Sequence, residues 1–298
     1  MSRRTYEFHA QTMQPRRFKR TSARFANLLL VLFCSFLSSS VLADLRLTGE
    51  AVQGGLIKGE TTPGANIMLD GVAVPSTKDG HFLIGFHRDD TDSQILTIML
   101  PDGSQSAHIL SPEPRDWQVQ RINGLAKKYV SPPEDVLARI ASDREAVIKA
   151  RSGSGTDPTT DLFKDGFQWP LSGPVTGIYG SQRILNNQPR QPHFGVDIAA
   201  AKGTPVKTSA PGRVTMAKDL YYTGWTVIID HGLGLTSTYS HLEGVAVSTD
   251  ELVAREQVIG LVGSTGRSTG AHLDWRVNLG AKRLDPQIVA RILNPDRH

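Results

Sequence analysis

Four histidines, together with Asp197 and Asp274, have the types and spacings that metal chemistry needs. His193-Phe194-Gly195-Val196-Asp197 is a His-x-x-x-Asp. His272-Leu273-Asp274 is a His-x-Asp within a strand-like run, where a period of two puts both side chains on one face. His241 ends the run Tyr239-Ser240-His241-Leu242, and His231 lies in Asp230-His231-Gly232. Neutral imidazole and carboxylate are natural ligands for first-row metals, and a catalytic zinc takes three protein ligands and keeps a position for water. Spacing alone leaves two readings open: a metal site, or histidines scattered over a surface.

The elements that would position these residues are strands. Runs at 206–210 (VKTSA), 225–231 (WTVIIDH), 235–241 (LTSTYSH) and 272–277 (HLDWRV) predict a compact, mainly β domain over residues 166–298. Upstream, residues 44–117 carry Asp-Gly dipeptides at 70–71, 79–80 and 102–103, separated by apolar runs such as HFLIGFH (81–87) and QILTIML (94–100). That pattern predicts a small, Ig-like β-sandwich. His81, His87 and His108 are scattered through it and read as ordinary histidines. Between the two, residues 118–165 read as a helical connector. Pro132-Pro133-Glu134-Asp135 opens a helix reaching about Ala150, with Val136, Leu137, Ile140 and Val147 near a 3.6-residue period, and a Gly/Ser/Thr linker follows at 151–160.

The chain has 298 residues and a formal charge of +4, but the excess is confined to its start. Residues 1–43 hold seven Lys/Arg and one acid, which leaves 26 basic and 28 acidic residues in the remainder. No basic stripe appears there, so nucleic acid is not an expected partner. Basic residues up to Arg24, an apolar run from Phe25 to Leu37 and Val41-Leu42-Ala43 before Asp44 have the layout of a secretory signal peptide. The apolar core is too short for the ~20 residues of a stable membrane span. The only cysteine, Cys34, falls inside that core, so the mature chain has none, as suits an exported protein of the periplasm or cell envelope.

Three segments, HFGVDIAAAKGTPVKTSAPGRV (193–214), WTVIIDHGLGLTSTYSHL (225–242) and IGLVGSTGRSTGAHLDWRV (259–277), closely resemble the lysostaphin-type (LytM-domain) zinc metallopeptidases, in the same order. The resemblance implies a small antiparallel β domain with a groove and one Zn2+ per chain. It also implies hydrolysis of peptide cross-links in bacterial peptidoglycan through a metal-bound water. On it, His193 and Asp197 match the first two zinc ligands, His241 and His272 match the two catalytic histidines that are not ligands, and His231 matches a structural position. The Gly-rich 263–270 matches a tight turn before the catalytic strand; it lacks the Gly-Lys-Ser/Thr of a phosphate-binding loop.

One departure bears on mechanism. The family commonly closes on His-x-His followed by an aromatic residue and Glu, whereas Asp274 stands here as third ligand, followed by Trp275 and Arg276. A carboxylate is an accepted zinc ligand, but two of them cancel the formal charge of the ion and predict a weaker Lewis acid. A second expectation therefore stands beside the hydrolase: a catalytically inactive LytM-type regulator that activates a cell-wall amidase. Peptidoglycan is the expected partner of the first, and other cell-wall hydrolases are expected partners of the second. A single ligand has changed, and to another metal-binding residue, which favours the enzyme.

Overall fold

A computed structural model describes residues 45–124, 131–152 and 160–294. The segment 1–43, expected to be a signal peptide, and most of the expected linker at 151–160 lie outside the described residues.

The N-terminal strands are β1 (Arg46–Gly49), β2 (Leu56–Glu60), β3 (Asn66–Leu69), β4 (Val72–Ala73), β5 (His81–Gly85), β6 (Gln94–Met99) and β7 (Gln105–Leu110). They form two antiparallel sheets, ordered β1-β2-β5 and β4-β3-β6-β7. The turn between β3 and β4 is made by Asp70 and Gly71, both at positive φ, the conformation that makes Asp-Gly a hairpin signal. Ile57, Phe82, Ile84, Leu96 and Ile98 fill the space between the sheets. Leu56 and Leu83 point the other way and join the core of the C-terminal domain. The sheet β1-β2-β5 is thus covered on both faces, which is why its HFLIGF run is apolar throughout instead of alternating.

The chain continues through β8 (Val119–Ile122) and α1 (Leu137–Arg151). Next come β9 (Val175–Gly177), β10 (Gln182–Leu185), β11 (Gln188–Pro189), β12 (Val196–Ala199), β13 (Pro205–Lys207) and β14 (Gly212–Leu220). The rest are β15 (Gly224–Asp230), β16 (Leu235–Val245), β17 (Leu252–Val253), β18 (Val258–Val262), β19 (His272–Leu279), β20 (Lys282–Leu284) and α2 (Pro286–Leu293). The main sheet runs β17-β14-β15-β16-β19-β12-β9, antiparallel throughout, with β18 on β16 and β20 on β19. Its core is built from Val196, Ile198, Val227, Ile229, Tyr239, Leu273, Trp275 and Val277, every one 0% exposed.

The segment 118–165 does more than connect. Strand β8 pairs in parallel with β10, beside the hairpin β10–β11. Helix α1 lays Ala146, Val147 and Ala150 on Met216, Leu220 and Ile228 of β14 and β15. Leu137 and Ile148 stay exposed. In place of Leu137, the buried Asp143 anchors the helix by accepting the Tyr221 backbone N–H at 2.8 Å. Polar pairs join the sandwich to its neighbour as well: His81 with Asp161 at 3.1 Å, Lys282 with Asp90 at 3.1 Å and Arg115 with Asp285 at 3.0 Å. No helix among the described residues is long and apolar enough to cross a membrane.

Because Leu56 belongs to the sandwich by sequence but to the C-terminal core by packing, it couples their stabilities. The four tryptophans lie at 117, 169, 225 and 275, all outside the sandwich strands. Leu56→Ala is expected to cost about 2–5 kcal/mol and to move the tryptophan-fluorescence transition in urea. A tryptophan transition left at the wild-type midpoint would contradict the coupling.

Candidate metal centre

Strand β19 alternates strictly. Leu273, Trp275 and Val277 enter the core, so His272, Asp274 and Arg276 share the opposite face. Its neighbour β12 pairs in a register that sets Asp197 directly across from Asp274. His193 precedes β12 and is pinned by two backbone hydrogen bonds, its carbonyl accepting from Gly180 N–H at 2.7 Å and its own N–H donating to the Ser181 carbonyl at 2.8 Å. One ligand atom from each of His193, Asp197 and Asp274 lies within 4.8 Å of the others, and all three residues are buried. Two glycines permit this crowding. A Cβ on Gly195 would come within 2.7 Å of Asp274 Oδ1, and one on Gly177 would collide with Asp197 Oδ2.

Two carboxylates facing each other across a buried strand pair repel unless a cation intervenes. Two arginines supply positive charge. Arg276 grips Asp274 with both prongs, Nε to Oδ1 at 2.9 Å and Nη2 to Oδ2 at 2.5 Å. Arg183, on β10, donates to Asp197 Oδ2 at 2.5 Å. Burial alone would raise the Asp274 carboxyl, but Arg276 and then His193 outweigh it and hold the group well below the ordinary carboxylate range. Asp197 is likewise lowered, burial being outweighed chiefly by His193. Burial pushes the His193 pKa down, against the pull of the Asp197 carboxylate beside it.

The donor set fits a zinc ion. Neither ring nitrogen of His193, nor Asp197 Oδ1, has a well-formed hydrogen bond, although His193 Nε2 lies 3.0 Å from Asp197 Oδ1. Arg276 takes one lone pair on each Asp274 oxygen and leaves another, because a carboxylate offers about four acceptor sites. Two carboxylates and a neutral imidazole, all ionised or deprotonated as ligation demands, are within the chemistry zinc accepts.

His241 and His272 stand beside this cluster with ring centroids 4.8 Å apart. His241 Nδ1 lies 2.7 Å from the Thr265 carbonyl and His272 Nδ1 lies 2.8 Å from the Gly270 carbonyl. A carbonyl only accepts, so both Nδ1 atoms carry hydrogen, and in the neutral ring the lone pair is then on Nε2. His241 adopts φ +64°, a left-handed conformation costly for a non-glycine residue and found disproportionately at functional sites. Burial pushes its pKa down to about 4. The Gly-rich segment 263–270 thus supplies backbone acceptors to both rings. His231 lies apart from the cluster, its Nδ1 2.7 Å from the Pro211 carbonyl and its Nε2 2.7 Å from Ser237 Oγ in the core. His81, His87 and His108 lie on the sandwich.

Residues 191–286 match Peptidase family M23. This domain is a member of that family. Across 86 residues it is 44% identical to the peptidoglycan DD-endopeptidase ShyA of Vibrio cholerae, covering 29% of this chain and 20% of ShyA. A longer alignment, 146 residues at 32% identity, links it to the murein hydrolase activator EnvC of Escherichia coli, covering 49% of this chain and 33% of EnvC. The chain therefore spans a fifth to a third of these relatives. A solved structure from Pseudomonas aeruginosa, described as a peptidase M23, is similar at 25% identity with a TM-score of 0.61, covering 81% of this chain and 95% of its own. That coverage exceeds what the M23 domain alone could supply, so the likeness extends into the sandwich.

The arrangement predicts a dependence on Arg276 that shows before any catalysis. In chelator, Arg276→Gln leaves Asp274 buried opposite Asp197 without its fork and is expected to lose about 3–5 kcal/mol of stability. The double variant with Asp274→Asn should recover most of it. A single variant within about 1 kcal/mol of wild type in urea titration would contradict this neutralising role.

Proposed function

We propose that the chain is an exported, zinc-dependent endopeptidase that hydrolyses peptide cross-links of bacterial peptidoglycan, with His193, Asp197 and Asp274 as metal ligands and His241 and His272 as catalytic residues. The observation that carries this reading is the convergence of the three ligand atoms within 4.8 Å, with the His241 and His272 rings beside them, each turned with Nδ1 to a backbone carbonyl. The endopeptidase description of ShyA supports the substrate class. Residues 1–43 would direct export to the periplasm or envelope, 44–117 would form the sandwich, 118–165 the connecting segment and 166–298 the peptidase domain.

Zinc, when bound, supplies a Lewis acid and a water of lowered pKa. The chain supplies the proton chemistry. With Nδ1–H of His241 committed to Thr265, its Nε2 accepts a proton from the attacking water. Burial, which pushes its pKa down to about 4, leaves the His241 ring neutral at pH 7. His272 Nε2, 3.9 Å from Asp197 Oδ1, is placed to take or return a proton on the same side. Asp274 stays ionised under the fork of Arg276, and that arginine returns positive charge that two carboxylates would otherwise remove.

A second reading, a catalytically inactive regulator of a cell-wall amidase, is favoured by one feature: Arg276 already balances Asp274 without a metal. The match to EnvC supports it. Digests of purified cross-linked muropeptides with zinc supplied separate the two. The enzyme releases uncross-linked products, Asp274→Ala abolishes release, and His241→Ala or His272→Ala lowers turnover by about 10²–10⁴-fold while keeping zinc. No product from wild type, together with stimulation of an amidase in trans, would overturn the hydrolase.

A further inference from the structure

A histidine that binds a metal is ordinarily oriented by a hydrogen bond at its other ring nitrogen. Neither ring nitrogen of His193 makes a well-formed one among the described residues. The residue is therefore placed by its backbone, which bonds to the Gly180 N–H and the Ser181 carbonyl. Both partners sit in the turn between β9 and β10, where Gly180 takes φ +83°. Whatever fixes that turn fixes His193. Its placement also shapes a groove of about 450 Å³, which His193 and Phe194 line together with Arg183, Arg267 and Arg283.

The residues that fix the turn come from the sandwich. Leu56 pairs with Gly85, so the loops entering β2 and leaving β5 meet at one end of it. From that end Arg88 Nε donates to the Gly180 carbonyl at 2.7 Å. The Arg88 side chain is only 12% exposed, so water screens this charge-assisted bond poorly. Trp117 lies so close to Gly180 that a Cβ there would collide with its ring. The guanidinium groups of Arg88 and Arg115 each lie 4.8 Å from the Trp117 ring centre and help to hold it. Tyr179 meets Trp117 edge-on at 5.9 Å and fills the space that a side chain on Gly54 would need. Beyond His193, the Phe194 ring lies 5.4 Å from that of His87. Sandwich residues thus brace both the turn and the residue that follows His193.

We infer that Arg88 and Trp117 are positioning residues for His193, so that the sandwich completes the metal centre from outside the peptidase domain. The effect on zinc rests on the proposed ligand role of His193; the restraint on the turn stands without a metal. A ligand held in place before the ion arrives loses less entropy on binding. Outer partners of a ligating histidine typically carry about 10–100-fold in metal affinity.

Two readouts on the full chain test this: backbone amide exchange by NMR in chelator, and zinc affinity by competition with a chromophoric chelator. Arg88→Gln should speed exchange at Gly180 and His193 by at least about tenfold while Val227 and Val277 of the main sheet keep their wild-type rates. It should also weaken zinc binding about tenfold. Arg88→Lys, which keeps a donor, should recover part of both. Lys282→Gln removes a different link to the sandwich, the pair with Asp90, and should change neither. Should Arg88→Gln fail to melt cooperatively, Trp117→Phe read at the same two amides carries the test.

Wild-type exchange at Gly180 and His193 in Arg88→Gln would overturn the positioning role, and so would faster exchange that leaves zinc affinity unchanged. Equal loosening in Lys282→Gln would overturn it as well, by reducing these contacts to general docking of the sandwich. A wild type that takes no zinc, with the two amides still loosened by Arg88→Gln, would sink the peptidase reading alone. A zinc-loaded wild type whose amides ignore Arg88→Gln would sink the positioning role alone.

Discussion

The register between β12 and β19 sets Asp197 against Asp274 inside a sheet, and most features of the domain follow from that pair. Like charges in that position, 7% and 0% exposed, are unstable without positive charge close by. The neighbouring structure supplies it from two directions: Arg276 from two residues further along the same strand face, and Arg183 from the β10–β11 hairpin. Gly177 and Gly195 clear the space that the carboxylates need. His193 completes a three-sided pocket, its ring nitrogens making no well-formed hydrogen bond among the described residues. An arrangement so costly to the apo fold is the kind retained for chemistry.

Asp274 and Arg276 are best understood together. Where the family commonly has a neutral histidine and an acid, this strand has an acid and a base. The exchange leaves a site with two arginines, two aspartates and a neutral imidazole, so a divalent cation entering it restores the net charge that the second carboxylate would have cancelled. The same arginine that assists an ion by this balance also competes with it for Asp274. That tension makes one strand compatible both with the proposed hydrolase and with a silent regulator.

Much of this was legible in the sequence, for definite reasons. The period-two pattern of His272-Leu273-Asp274-Trp275-Arg276 announces a strand with chemistry on one face and core on the other, and Trp275 is fully buried as that pattern requires. Asp70-Gly71 marked its hairpin because the turn needs two positive φ values. Arg183, Arg267 and Arg283 were not legible as groove residues: Arg183 and Arg283 lie outside the motifs, Arg267 reads there only as part of a tight turn, and the three meet only when the β10–β11 hairpin, the Gly-rich loop and β20 converge. On α1, Val147 packs on the sheet as its period implies, but Asp143, a charged residue, takes a buried position and holds the Tyr221 backbone, while Leu137 is left outside. Hydrophobic periodicity is blind to such anchors.

The most direct measurement is the zinc-to-protein ratio of the protein purified without added metal or chelator, repeated after zinc is supplied and excess removed. One zinc per chain, lost in Asp274→Ala, is the predicted result. A ratio that stays near zero after zinc is supplied would mean that Arg276 and Arg183 are the permanent counter-charges of the Asp197–Asp274 pair, and that the cluster is not a metal centre.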